Sequence, residues 1–139
     1  MDREAQLNKF WLNVSCTVRE GDFVSYKKNY HEDAVYISET TQSSVAISAA
    51  FTQWQQSFDD TKKERVKVDV QFKFTQRIGT EKTAFEKGIF LYTSTDKAGL
   101  KTIKFMGFEA VLVKRKQWQI LLEHQKSESN ESEWNLLVT

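Results

Sequence analysis

The sequence predicts one α+β domain in which helices cover one face of an antiparallel sheet. Its length of 139 residues is typical of a single domain. Three segments before Asp59 carry apolar residues at helical spacing, and strict apolar/polar alternation from Val66 opens a run of four strands. Strands joined by short turns favour an antiparallel meander with the helices segregated to one face. The predicted order is helix-helix-strand-helix, followed by four strands (ααβαββββ).

The first helix is predicted over residues 3–19, where an apolar stripe recurs every three or four residues. The stripe consists of Leu7, Phe10, Trp11, Val14 and Val18. Gly21 is expected to end this helix, and Asp22 to cap a second helix over residues 22–30. Cys16 lies within the first helix, where a buried and unreactive thiol is expected.

The next segments predict a short strand and a third helix. Residues 34–38 are β-branched or aromatic, which favours a strand, and the polar residues 39–44 predict a loop. Ser43 or Ser44 can cap a helix that runs to about Asp59. Its apolar stripe consists of Ile47, Ala50, Phe51, Trp54 and Phe58.

Four further strands are predicted over residues 66–75, 82–95, 100–114 and 117–125, separated by turn-like or charged segments. The strand over residues 100–114 is apolar on both faces, so it requires two covers. The helices supply one cover, and a second copy of the chain is predicted to supply the other, giving a homodimer through the outer sheet face. The alternative is that residues 134–138 of the C-terminal tail fold back over that face.

Composition excludes several classes of protein. The charges are nearly balanced, with 20 Lys and Arg against 19 Asp and Glu, so no nucleic-acid partner is expected. The five glycines form no phosphate-binding loop, and one cysteine with two histidines is too few for an all-Cys/His zinc site. No metal or cofactor is therefore expected.

Membrane insertion and export are not expected either. The longest strictly apolar run, residues 110–113, is far shorter than the roughly 18 residues that span a bilayer. The N-terminus lacks a basic segment followed by an apolar one, so the predicted location is the cytoplasm.

Four sequence segments resemble the nuclear transport factor 2-like superfamily, and within it the SnoaL-like and ketosteroid-isomerase-like small domains. They are GDF at residues 21–23, YHEDAVY at 30–36, AIxxxFxxW at 46–54 and WQILLEHQKS at 118–127. The resemblance implies a cone, in which a curved antiparallel sheet wraps around helices and encloses a pocket. It assigns residues 1–127 to this domain and leaves residues 128–139 as a tail, packed on the sheet or on a dimer partner. Such domains are commonly dimeric through the outer sheet face.

The resemblance also locates three positions that carry catalytic groups in steroid-isomerase relatives. The position of the carboxylate base falls on Ser38, and that of an oxyanion-binding tyrosine falls on Val14; neither residue can perform the corresponding role. The third position, a carboxylic acid, falls on Glu109. This chain therefore departs from the isomerase pattern.

Glu109 is the principal candidate for chemistry inside the predicted cone. It interrupts a row of apolar or small residues, and an unpaired buried carboxylate would cost several kcal/mol, so it requires a partner or a pocket. Pairing around the hairpin at residues 114–117 brings His124 close to it, and a Glu–His pair can transfer protons. The alternative is a structural hydrogen bond for Glu109 and a core or interface position for His124. His31 is expected to lie in a solvent-facing turn.

The function predicted from these residues is binding of a small apolar or amphipathic ligand in the interior pocket. Seven residues are its predicted lining: Trp11, Tyr30, Tyr36, Ser38, Phe51, Trp54 and Phe58. One alternative is an isomerase or lyase that uses Glu109, with or without His124. Another is an association module whose cavity is filled by side chains. Which of Glu86 and Lys87 faces the interior stays open.

Overall fold

The computed structural model describes residues 2–137 and contains four helices and six strands. The helices are α1 (Arg3–Glu20), α2 (Phe23–Lys27), α3 (Ile47–Lys62) and α4 (Glu131–Asn135). The strands are β1 (Tyr30–Ser38), β2 (Ser43–Ala46), β3 (Val66–Gly79), β4 (Thr83–Asp96), β5 (Lys101–Lys114) and β6 (Trp118–Glu128). The predicted α+β class and the order of the main elements are confirmed.

The strands form one curved, unclosed sheet in the order β2-β1-β6-β5-β4-β3. The predicted antiparallel meander comprises β3 to β6. β1 differs, because it pairs parallel to β6 and antiparallel only to the short β2. A parallel pair needs a long crossover connection, and α3 with the first three meander strands provides it between β1 and β6.

The boundary between α1 and α2 follows the predicted capping chemistry. Gly21 adopts a left-handed conformation with φ of 68° at the end of α1, and the Asp22 side chain accepts the Ser25 N–H at the start of α2. The predicted cap of α3 is wrong, since Ser43 and Ser44 belong to β2. The N-cap of α3 is Ala46, which provides no side-chain hydrogen bond.

The core lies between α1 and the concave face of the sheet. Trp11 is its centre, with ring centroids 4.7 Å from Phe72 and 5.7 Å from Phe108. The predicted α1 stripe is therefore confirmed at Trp11. Cys16 lies off this stripe and is exposed, so the prediction of a buried thiol is wrong.

A β-bulge at Leu121 reverses which face β6 presents. Ile120 pairs with Leu112, whereas Leu122 pairs with the preceding residue of β5, Val111, so Leu121 is an extra residue. Simple alternation along β6 therefore fails at Leu121. Trp118 and Ile120 before the bulge share the concave face with Glu123 and Gln125 after it.

The C-terminal helix covers one end of the outer sheet face. The Trp134 ring lies 6.1 Å from Phe105, and the Lys73 ammonium lies 4.5 Å from the Trp134 ring centroid. Ile89 lies on the strand between these two positions and is buried. Val138, which the fold-back alternative included, lies outside the described residues.

The orientation left open at residues 86 and 87 is resolved by a buried ion pair. Glu86 is fully buried on the concave side, where its carboxylate accepts hydrogen bonds from the Arg77 guanidinium and from Trp11 Nε1. Lys87 points to the outer face, where its strand partner is Glu109.

Candidate functional site

A hollow of about 290 Å³ lies between the helices and the concave face of the sheet. Four of the predicted lining residues border it: Trp11, Tyr30, Trp54 and Phe58. Most of the remaining lining is also apolar, from α1 and from the strands β3 and β4. The volume is at the low end of the range for small-molecule pockets, so the hollow can hold a small ligand only.

The other three predicted lining residues are not among those that border the hollow. Tyr36 packs behind Trp54, with the ring centroids 5.0 Å apart, and Phe51 packs against Tyr30 at 5.4 Å. Ser38 is buried and its hydroxyl lies 3.0 Å from that of Thr40. Tyr36 and Phe51 therefore support the lining from behind.

A connected polar group lies at one end of the hollow. The Tyr30 hydroxyl donates to Glu123 Oε1 at 2.5 Å, and the Gln125 side-chain amide donates to Glu123 Oε2 at 3.0 Å. The Tyr26 hydroxyl lies 3.0 Å from the Tyr30 hydroxyl. All four residues border the hollow, which is otherwise mainly aromatic and aliphatic.

The direction of these hydrogen bonds determines what the group can offer a ligand. Because Tyr30 gives its proton to Glu123, it must accept the proton of Tyr26. The unused capacity of Tyr26 is then the lone pairs on its oxygen. The Glu123 carboxylate also keeps acceptor capacity after taking two hydrogen bonds. Tyr26 and Glu123 therefore present acceptors and no free donor.

Burial perturbs the acidity of this group. Loss of hydration raises the pKa of Glu123 above its ordinary value of 4.5, although the hydrogen bonds from Tyr30 and Gln125 act in the opposite direction. Burial and the nearby Glu123 carboxylate raise the pKa of Tyr30 well above its ordinary value, and raise that of Tyr36 to about 12. The tyrosines therefore remain protonated donors at neutral pH.

The predicted catalytic pair lies elsewhere. Glu109 and His124 are strand partners, with Glu109 Oε1 3.6 Å from His124 Nδ1, so the structure brings them together. Both side chains lie on the outer sheet face, next to Lys126 and Glu39. The prediction that Glu109 points into the hollow is wrong, because on β5 it alternates with Phe108, which faces the core.

Glu123 is the functional candidate that sequence reasoning missed. In a regular strand, alternate residues share a face, so Glu123 would lie on the face opposite to Trp118, Ile120, Leu122 and His124. Sequence reasoning therefore places it on the outside of the sheet. The detectable signal is the uninterrupted apolar run Ile120-Leu121-Leu122, which breaks the alternation at the position of the bulge.

Val14 and His31 are the two remaining candidates from the sequence. Val14, at the position of the relatives' tyrosine, borders the hollow and supplies only apolar surface. His31 is buried with 7 % of its surface exposed, so the expectation that it faces solvent is wrong. Its Nδ1 accepts the Asp33 backbone N–H at 3.0 Å.

Within the described part of the chain, no group of three His, Cys, Asp or Glu side chains is arranged to hold a metal ion. None of the helices described for residues 2–137 is long and apolar enough to cross a membrane.

The curved sheet, the covering helices and the enclosed hollow define a nuclear transport factor 2-like fold. A family match over residues 3–129, together with similar solved structures, confirms the resemblance to that superfamily. A nuclear transport factor 2-like protein of unknown function from Shewanella oneidensis superposes with a TM-score of 0.72 at 14% identity, covering 91% of this chain and 100% of that one. A ketosteroid isomerase-like protein from Erwinia carotovora superposes with a TM-score of 0.64 at 16% identity, covering 94% and 99%.

Within that superfamily, the chain belongs to the calcium/calmodulin dependent protein kinase II association domain family, whose sequence pattern matches residues 3–129. A solved structure described as a putative domain of this family, from Xanthomonas campestris, is similar to this chain. The TM-score is 0.66 at 18% identity, with coverage of 94% of this chain and 91% of that one. No protein of curated function matches the chain significantly.

Proposed function

We propose that this domain binds a small, mainly apolar molecule in its hollow and recognises one hydroxyl or amine group of that molecule through Glu123. The observation that carries the proposal is the Tyr26–Tyr30–Glu123–Gln125 group, which ends an otherwise apolar cavity. Pockets of this kind use an apolar lining for affinity and a few polar atoms for orientation.

The polarity of the ligand follows from the acceptors. A ligand hydroxyl or N–H can donate to the free lone pairs of Glu123 or Tyr26, whereas a ligand that carries only acceptors makes no hydrogen bond to these two residues. An acceptor group placed against Glu123 would leave both groups unpaired, at a cost of about 1–3 kcal/mol each. The proposal therefore distinguishes molecules of similar size and shape by the presence of one hydrogen-bond donor.

The first prediction compares 4-ethylphenol with 4-ethylanisole, which has the same ring and carries a methyl ether in place of the O–H donor. We expect the phenol to bind more tightly, and Glu123→Gln to weaken it about tenfold, because a neutral amide oxygen is a weaker acceptor than a carboxylate. Phenol affinity should rise as pH increases through the raised pKa of Glu123, since the carboxylate ionises in that direction. Isothermal titration calorimetry at several pH values measures all three effects.

Glu109→Gln is the matched control, because it makes the same chemical change on the outer sheet face. The affinity of this variant for the phenol should stay within about twofold of the wild type. The charge that it removes lies on the opposite face of the sheet, where solvent ions screen its effect on the hollow. Equal affinity for phenol and anisole, or equal effects of the two substitutions, would contradict recognition through Glu123. No binding of either compound would contradict a ligand-binding hollow.

A proton-transfer function that relies on Glu109 and His124 is not proposed, because neither borders the hollow.

A second function, self-association, has a separate observation in its favour. Beyond the area under Trp134, the outer sheet face carries apolar side chains that are paired or adjacent in the register and only partly buried. They are Phe85, Val111, Val113 and Leu122.

We propose that a second copy of the chain covers this area and forms a two-fold symmetric dimer. The description of the family as a kinase association domain supports self-association. The outer face also carries Lys87, Glu109 and His124, which can pair across a polar rim.

The second prediction is that Val111→Asp converts the dimer to a monomer at micromolar concentration, because it places an unpaired charge in the centre of the apolar contact. Gln71→Asp is the control, since Gln71 is an exposed residue of the edge strand β3. Light scattering coupled to size-exclusion chromatography measures both variants. A monomeric wild type, or a dimer that survives Val111→Asp, would contradict the interface.

A further inference from the structure

A second concavity, of about 410 Å³, lies outside the hollow. We call it the α3 groove; Ile47, Ser48 and Phe51 of α3 border it, together with His31 and Arg115. Tyr30 borders both cavities, and its hydroxyl is directed to Glu123 in the hollow. Tyr30 therefore separates the α3 groove from the proposed ligand site.

His31 places an unused hydrogen-bond donor at the α3 groove. Its side chain is more than nine-tenths buried, and its Nδ1 accepts the Asp33 N–H. In the neutral imidazole the proton must then be on Nε2. Within residues 2–137, Nε2 has no hydrogen-bond partner, and its surface is not completely enclosed by protein. An Nε2–H donor is therefore available at the groove.

The start of α3 adds further donors beside it. The first backbone N–H groups of a helix have no partner within the helix, and they carry the positive end of its dipole. The N-cap residue Ala46 has no side chain that could accept from them. The Ser48 hydroxyl also borders the groove.

The charge of the groove favours a monoanion. Lys27 and Arg115 border it with one carboxylate, Glu32, so the bordering residues have a formal charge of +1 when His31 is neutral. The Asp33 carboxylate, 4.0 Å from His31 Nδ1, is exposed to solvent and does not border the groove. Among residues 2–137, the Arg115 guanidinium makes no ion pair or hydrogen bond. The rings of Tyr30 and Phe51 and the side chain of Ile47 provide apolar surface beside these charges.

We propose that the α3 groove is a second ligand site, which binds the carboxylate of a small organic acid between Arg115, His31 Nε2 and the N-terminus of α3. The apolar part of the acid packs on Phe51 and Ile47. The guanidinium supplies the counter-charge, and the helix N-terminus and His31 orient the carboxylate oxygens.

The probe for this proposal is benzoate, and ¹⁵N–¹H correlation NMR on the full chain detects its binding. We expect saturable shifts of the backbone amides of His31, Ser48 and Arg115, and none with benzamide, which is uncharged and of similar shape. Inorganic phosphate should bind more weakly than benzoate, because it lacks the apolar part and carries more charge than the groove balances. Glu123→Gln should leave the benzoate titration unchanged, which separates this site from the hollow.

Arg115→Ala should weaken benzoate about tenfold, because it removes a charge-assisted hydrogen bond. Lys116→Ala is the matched control: it removes the same charge from the same exposed hairpin without bordering the groove, and should change affinity less than about twofold. Equal effects of the two substitutions would overturn the site in favour of diffuse attraction. Shifts confined to residues of the hollow, equal binding of benzamide, tighter binding of phosphate or no shifts at all would also overturn it.

Discussion

Arg77→Met should lower the free energy of unfolding by about 3–5 kcal/mol, a large part of the stability of a domain of this size. Methionine replaces the unbranched aliphatic part of the arginine side chain and lacks the guanidinium. Glu86 is fully buried, and it would then retain only the Trp11 N–H, 3.3 Å from Oε1, as a hydrogen-bond donor. A buried carboxylate without its counter-charge is strongly unfavourable.

The geometry of the pair explains why this effect should be large. Arg77 Nε lies 3.1 and 3.0 Å from the two carboxylate oxygens, and Nη2 lies 2.8 Å from Oε1. The guanidinium also stacks over the Phe74 ring, 4.1 Å from its centroid. The charges are thus satisfied by directed bonds inside the protein, and Glu86 cannot turn to water when Arg77 is removed.

Urea denaturation measures the effect, and two variants test its cause. The double variant Arg77→Met/Glu86→Leu should recover most of the lost stability, since an apolar replacement of the whole pair leaves no buried charge. Arg65→Met removes the partner of Asp60 in an exposed ion pair and should cost less than about 1 kcal/mol. A double variant as unstable as Arg77→Met would show that lost packing, and not the charge, is responsible.

The elements of this fold could be predicted because their signals are local. The α1 stripe, the Gly21 stop and the Asp22 cap each depend on neighbours within one or two helical turns. The alternation from Val66 similarly defines β3 without knowledge of its partners. The two-sided apolar pattern of β5 indicated that the outer face needs a cover, and Trp134 supplies part of it.

The site could not be predicted to the same extent, because it depends on a single extra residue in a strand. The bulge at Leu121 places Glu123 in the hollow and His124 on the outer face. Family resemblance assigned the interior acid to Glu109, which alternates with the core residue Phe108. The chemistry expected of an enclosed carboxylate was therefore assigned to the wrong strand, although a carboxylate does border the cavity.

Gly88→Ala should cost about 3 kcal/mol, the upper end of the usual range for overpacking a well-packed interior. Gly88 pairs with Phe74 beside the irregularity between Phe74 and Gln76. A Cβ atom there would lie 1.9 Å from the Lys73 carbonyl oxygen and 2.9 Å from the Phe74 Cα. Both atoms belong to the backbone, so no rotamer change relieves the contact, and β3 and β4 must move apart.

Separation of these strands would also reach the hollow. Phe72 of β3 and Phe90 and Tyr92 of β4 border it, and Phe72 pairs with Phe90 two residues from Gly88. We therefore expect Gly88→Ala to reduce 4-ethylphenol affinity as well as stability, with chemical-shift changes concentrated on β3 and β4.

Gly107→Ala is the matched control on the neighbouring strand. Its Cβ would meet the Ser127 carbonyl oxygen at 3.5 Å, an ordinary contact distance. The same chemical change should therefore alter the free energy of unfolding by less than about 1 kcal/mol, since the lower chain entropy of alanine offsets small packing costs. Thermal unfolding measures the melting temperature of both variants. Similar melting temperatures would show that β3 and β4 accommodate a Cβ atom at position 88, and would contradict the prediction.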